Sequence, residues 1–290
     1  MRKAGAIFAL VLAGLFAVIS LVKLRAPDGD GEGAADAVSA TERQRVLHFW
    51  EIYREATEHR TAGRVREAAE AYARALELNG RHEDALYYLG SMQLELGDFG
   101  EAEKNWKRLL EVNPSSGRAH SRLAALYSCP EPTGLFDLDR AAAQYRSALE
   151  LNQEQTGPRL GLAELALARG DMAAASRYLD HVLGSDASSV EAHFLEGYIA
   201  WKRGDMGAAR ASFAEAVERA QPEKPAGGVA GEGDTRAGSR PLLASVERCR
   251  RAWVDRSELR DLDVDASREM VETRYRRLDA QLAEFRPRRP

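Results

Sequence analysis

The chain has 290 residues, of which 44% are hydrophobic, 7% aromatic and 30% charged, with a formal net charge of −4. That apolar content is enough to bury a core and excludes a disordered chain, while the 22 basic and 27 acidic side chains between residues 43 and 221 are interspersed, which excludes a basic nucleic-acid footprint. Ala and Leu recur throughout and β-branched clusters bounded by turn signals are scarce, so an all-α protein is expected.

At the N-terminus, Ala4 to Val22 is a run of 19 residues without a charge, flanked by Arg2 and Lys3 before and by Lys23 and Arg25 after. As a helix it would span about 28 Å, close to the roughly 30 Å of bilayer hydrocarbon. Residues 1–25 are therefore expected to form a single-pass membrane anchor that meets the lipid bilayer through residues 4–22. A cleaved signal peptide and a buried apolar helix are the alternatives, although the run exceeds the ~7–15 apolar residues of a signal peptide. The short basic tail favours insertion with the N-terminus inside, which would place the bulk of the chain in an extracytoplasmic, periplasmic space. Residues 26–41, with "PDGDGEGAADAVSA", show no apolar period and read as a flexible tether.

Residues 42–221 are expected to be ordered, and they repeat. Gly63 and Gly97, Ala68 and Ala102, and Tyr72 and Trp106 are each 34 residues apart. Beyond one insertion of about five residues between Tyr127 and Arg140, the same slots hold Ala141 and Tyr145, then Gly170, Ala175 and Leu179, then Gly204, Ala209 and Phe213. The period marks five copies. Each slot has a physical reason: Gly90 and Ala102 are small enough for helices to approach closely, and Gly63, Gly97, Gly170 and Gly204 can take the left-handed conformation that ends a helix. Asp98, Asp171 and Asp205 follow three of those glycines and suit the start of the next helix. Phe99, Trp106 and Phe213 are apolar knobs, and Pro114 stops a helix.

In this pattern the chain resembles the tetratricopeptide repeat family, a helix-turn-helix unit of 34 residues, over roughly residues 45–221. Residues 89–114 match best, with Leu89, Gly90, Gly97, Phe99, Ala102, Trp106 and Pro114 in register. Glu55 and Glu196 in leucine slots and Gln153 in place of the usual proline depart from it. The resemblance implies a right-handed superhelical solenoid of about five repeats, because one helix pair cannot bury its apolar face alone. It also implies a protein- or peptide-binding groove lined by the first helix of each pair. The lining slots are Trp50, Tyr53 and Arg60 in the first copy, Tyr87 and Glu95 in the second, and Arg118, Ser121 and Arg122 in the third. The fourth contributes Leu160 and Glu164, and the fifth Phe194, Tyr198, Trp201 and Lys202. Arg118 and Arg122 are similar to two positions of the carboxylate clamp in chaperone-tail-binding members. That clamp also needs a Lys and two Asn, where this chain has Tyr53, Thr57 and Tyr88, so that tail is not the expected ligand.

No metal-binding, phosphate-binding or nucleophile motif occurs, and the histidines are scattered; His120 and His193 read as packed or solvated. Neither a catalytic residue nor a cofactor is expected. Cys129 and Cys249, 120 residues apart, form neither a disulfide framework nor a metal pattern. Residues 222–241 read as a second linker, and residues 242–290 as helical, with stripes at Leu242, Val246, Cys249 and Trp253 and at Val271, Tyr275, Leu278, Leu282 and Phe285. Those helices would either cap the solenoid or bind a partner. The leading functional expectation is a membrane-tethered, non-enzymatic scaffold that assists assembly or maturation of an envelope complex. The alternative is a module for a non-protein ligand such as a cell-wall glycan, with Phe194, Tyr198 and Trp201 as a stacking platform. In a third reading the C-terminal helices fill the groove themselves.

Overall fold

The computed structural model describes residues 31–129, 134–221, 256–260, 262 and 267–284, all of whose regular structure is helical. The helices are α1 (Gly31–Thr61), α2 (Val65–Leu78), α3 (Glu83–Leu96), α4 (Phe99–Val112), α5 (Gly117–Tyr127), α6 (Leu138–Leu151), α7 (Thr156–Arg169), α8 (Met172–Ser185), α9 (Val190–Lys202), α10 (Met206–Ala220), α11 (Arg256–Arg260) and α12 (Arg268–Glu284). The chain divides into two compact units, Met1–Glu51 and Ile52–Pro290, so the boundary falls inside α1. In the first unit the described residues all belong to α1, and Phe49 meets Trp50 edge-on with ring centroids 5.1 Å apart.

The second unit is an array of helix pairs. Within pairs, α3 packs on α4, α5 on α6, α7 on α8 and α9 on α10. Between pairs, α2 packs on α3, α4 on α5, α6 on α7 and α8 on α9, so each pair covers the apolar face of the one before. The sequence dictates these elements locally. In α4 the buried Ala102, Trp106 and Leu109 recur at intervals of four and three, and the helix stops at Asn113, before Pro114. Gly97 and Gly170 end α3 and α7 with φ of 85° and 80°, where a side chain would be strained. The Asp171 and Asp205 side chains accept from the N–H of Ala174 and Ala208, whereas Asp98 occupies the corresponding position without a side-chain bond. The inserted segment of the third copy closes through the Asp137 N–H on the Tyr127 carbonyl at 2.7 Å, and Asp137 then caps α6.

On two of the first helices the small slot is a notch for a ring. A Cβ at Gly90 would lie 2.6 Å from Trp106 Nε1, and that indole donates to the Tyr87 carbonyl at 3.2 Å. Gly197 is the equivalent notch of the fifth pair, but its occupant comes from outside the pair: a Cβ there would lie 2.0 Å from the Tyr275 hydroxyl of α12. The Val271, Tyr275, Leu278 and Leu282 stripe of α12 is fully buried, and α12 packs on α10, α9 and α7 while α11 packs on α10. Ion pairs of Glu258 with Arg274 and Arg277 join α11 to α12, and Arg256 pairs with Glu191 at the start of α9.

Three findings differ from the sequence reading or lie beyond it. The tether expected over residues 26–41 is already helical at Gly31, because the alanine-rich stretch Ala34–Ala40 favours continuing the ordered helix backwards over releasing it. Cys129 is fully buried and disulfide-bonded, and the sequence contains one other cysteine, Cys249, which lies outside the described residues. A separation of 120 residues carries no pairing information, so spacing alone could not show this. Among the described residues no helix is long and apolar enough to cross a membrane; residues 4–22, where the anchor is expected, lie outside them. The linker expected over residues 222–241, the stripe from Leu242 to Trp253, and Phe285 likewise lie outside the described residues.

Candidate functional site

The side of the array lined by its first helices has two chemically different ends. Over the first three copies it is a ladder of tyrosines and arginines. Tyr72 sits on α2, fully buried, with its hydroxyl between Thr57, at 3.2 Å, and Arg60, whose Nε donates to it at 3.1 Å. The Tyr72 ring stacks on Tyr88, Tyr88 meets Tyr87 edge-on, and Tyr53 meets Tyr72 edge-on. The Arg60 guanidinium lies 4.1 Å from the Tyr88 ring centroid, and Arg118 lies 4.7 Å from that of Tyr87. Arg122, in the third copy, repeats the device of Arg60, with its Nε donating to the Tyr87 hydroxyl at 3.0 Å.

The electrostatics follow from these partners. Arg118 forms an ion pair with Asp84, but Arg60 and Arg122 use neutral phenol oxygens and form no ion pair among the described residues. In both, stacking and hydrogen bonding fix the plane of a guanidinium that no carboxylate occupies among the described residues, a preorganised arrangement for a carboxylate or a peptide carbonyl. Burial, and then the neighbouring Tyr72 and Asp84, push the Tyr53 phenol up to about 12, so it remains a neutral donor. Burial pushes His82 down and Arg118 adds to that, against the opposing pull of Asp84 and Glu83, so the imidazole beside Tyr53 favours its neutral form.

Over the fourth and fifth copies the same side is covered. Phe194 and Tyr198 are buried, and with Trp201 they surround Tyr275 at centroid distances of 5.2, 6.1 and 6.1 Å. The Tyr198 hydroxyl donates to Asp279 at 2.7 Å, and Lys202 reaches the same carboxylate at 3.0 Å. Leu160 packs against this cluster, and Glu164 is half-buried on α7. A glycan platform requires open ring faces, and here those faces pack on α12.

The structure thus joins Tyr53, Arg60, Tyr87, Arg118 and Arg122 in one ladder and places Phe194, Tyr198, Trp201 and Lys202 beneath α12. Glu95 is half-buried on α3, and Ser121 spends its hydroxyl on the Gly117 carbonyl. Trp50 is 52% exposed in the other compact unit. Sequence reasoning missed Tyr72 as the support of Arg60 because it occupies a core slot; the signal was its hydroxyl, which a buried tyrosine must satisfy. His120 and His193 tie the starts of their helices to the loops before them, through the carbonyls of Pro114 and Ala187. Among the described residues no group of side chains could hold a metal ion.

Known proteins agree with this architecture. The sequence model of the tetratricopeptide repeat family matches residues 53–104, 93–127 and 160–225. Among solved structures, MamA superposes with a TM-score of 0.50 at 18% identity, covering 57% of this chain and 93% of its own. The MamA RS-1 ArsTM double mutant gives 0.52 at 15% identity, with shares of 60% and 94%. PilW, a widely conserved type IV pilus biogenesis factor, gives 0.51 at 16% identity, with shares of 59% and 77%. No curated protein sequence matches the chain. Residues 53–127 and 160–225 thus match the tetratricopeptide repeat model, and the chain shares the all-α helix-pair fold of these structures.

Proposed function

We propose that this chain is a membrane-tethered, non-enzymatic tetratricopeptide scaffold that holds a polypeptide partner along its tyrosine-arginine ladder, on the extracytoplasmic side, to assist assembly or maturation of an envelope complex. The observation that carries the reading is the paired use of Arg60 and Arg122, two guanidiniums fixed by phenol oxygens and stacked rings on one continuous face. Such groups bind carboxylates and peptide carbonyls without first breaking an ion pair. Two features, one of sequence and one of structure, support the setting. Residues 4–22 have the length and apolarity of a bilayer span, and a disulfide at Cys129 suits an oxidising compartment. PilW, which shares the fold, is a type IV pilus biogenesis factor, a role of the kind proposed here.

The test is crosslinking in intact membranes followed by affinity purification, with the native chain compared with an Arg60→Gln/Arg122→Gln variant. Recovery of particular polypeptides that the variant loses is the expected result. An identical set from both chains would sink the ladder as the binding face.

A further inference from the structure

We infer that the groove over the fourth and fifth helix pairs is a docking surface for an amphipathic helix of a partner protein, one presenting an aromatic ring and, four residues later, a carboxylate. In the free chain α12 is the resident stand-in that such a helix displaces. The inference takes from the functional reading only which side of the helices binds.

The position of α12 separates an occupant from a cap. A cap needs to cover α10, the second helix of the last pair, and α11 already packs there with Leu259 buried. α12 also packs on α10, where Phe213 meets Tyr275 edge-on, but it goes further, onto the groove side of α9 and α7, where Tyr275 sits among Phe194, Tyr198 and Trp201. Its mode of attachment defines the chemistry of what fits. The ring enters the Gly197 notch, where an added Cβ would lie 2.0 Å from its hydroxyl, and one turn later Asp279 takes the Tyr198 hydroxyl and Lys202. Val271, Leu278 and Leu282 complete an apolar stripe at intervals of seven and four residues. An aromatic anchor in a pocket beside a satisfied charge is how helices seat in grooves.

The resident helix is a poor fit at one atom. The Tyr275 hydroxyl is buried and has no hydrogen-bond partner among the described residues. Burying it unsatisfied costs about tenfold or more in the docking equilibrium, and a phenylalanine in the same notch escapes that penalty. α12 compensates by being part of the same chain, which gives it a high effective concentration. A partner helix carrying Phe at this position competes by intrinsic affinity.

The experiment uses the full-length protein and a labelled peptide with the sequence of residues 267–286, in which Tyr275 is replaced by Phe. Fluorescence anisotropy should show binding to the native chain, about tenfold tighter binding to a Tyr275→Ala chain whose resident helix is loosened, and about tenfold weaker binding to a Tyr275→Phe chain whose resident helix is tightened. Asp279→Asn within the peptide should weaken binding, and Arg60→Gln/Arg122→Gln in the chain should leave it unchanged. That last control separates failure here from failure of the ladder. A second measurement covers the case in which Tyr275→Ala does not fold. Hydrogen exchange of the native chain should show residues 268–284 opening at least about 100-fold more readily than α9. Equal protection of α12 and α9, or no peptide binding to any folded chain, overturns the proposal and makes α12 a permanent cap.

Discussion

Replacing Gly90 by alanine tests the packing logic of the whole array, because in most helices the change would stabilise. Alanine gains about 1 kcal/mol of helix propensity over glycine in a helix interior. At this position the new Cβ would lie 2.6 Å from Trp106 Nε1 and 2.9 Å from two further ring atoms, so the indole must move by several tenths of an ångström. It cannot move freely, since the ring is fully buried and its N–H is spent on the Tyr87 carbonyl. Overpacking costs ~1–3 kcal/mol, and a lost hydrogen bond adds ~1 kcal/mol. Against the propensity gain the net expectation is ~1–3 kcal/mol of destabilisation, read as a lower urea midpoint by circular dichroism with an unchanged slope. In a Trp106→Leu background the obstructing ring is gone, and Gly90→Ala should become neutral or stabilising there. If Gly90→Ala alone matched or exceeded the native midpoint, close approach would not be the reason for that glycine.

Two titrating sites give further tests. Burial pushes the Glu103 carboxyl up, but hydrogen bonds from Lys107, Tyr127 and Arg140 together outweigh it and hold the group below its ordinary 4.5. A depressed carboxyl stabilises fully above its unfolded value and loses that contribution as pH falls through the folded one. Acid titration from pH 5 downward should therefore destabilise the native chain more than a Glu103→Gln variant, as followed by melting temperature. Glu196 is the opposite case: burial first, and then Asp180, push it above 4.5, so its charge is a cost at neutral pH. Glu196→Gln should raise the melting temperature at pH 7, and the advantage should shrink as pH falls towards 4 and the native carboxyl takes up its proton. Equal melting temperatures at pH 7 would contradict that account.

The fold was legible because its causes are local and repeat. A 34-residue spacing of small residues, terminal glycines and aromatic knobs states which helices form and which faces meet, and the array follows from stacking them. The ladder was legible in part: Tyr53, Arg60, Tyr87, Arg118 and Arg122 sit in slots that face one side in any such array. What joins them is not local. Tyr72 and Tyr88 connect Arg60 to Tyr87 through ring contacts between neighbouring pairs, and a slot assignment does not state which hydroxyl reaches which guanidinium. The aromatic stripe of α9 was visible, but its occupant lies 77 to 81 residues downstream and contacts it through tertiary packing alone. The same limit hid the disulfide of Cys129.

The notches at Gly90 and Gly197 also bear on how such an array can grow. Both glycines sit in the same slot of their copies, but the first notch is filled by the indole of its own pair, whereas Tyr275 fills that of the last pair, and Phe213, at the position corresponding to Trp106, meets the Tyr275 ring edge-on. Copies made by duplication begin interchangeable. Here the terminal copy has ceased to be so: with a tryptophan in place of Phe213 it would close its own notch and leave α12 without a seat. Lengthening the chain by inserting a repeat after α10 would bury that notch inside the array, so additional copies can be accepted in the interior but not at this end.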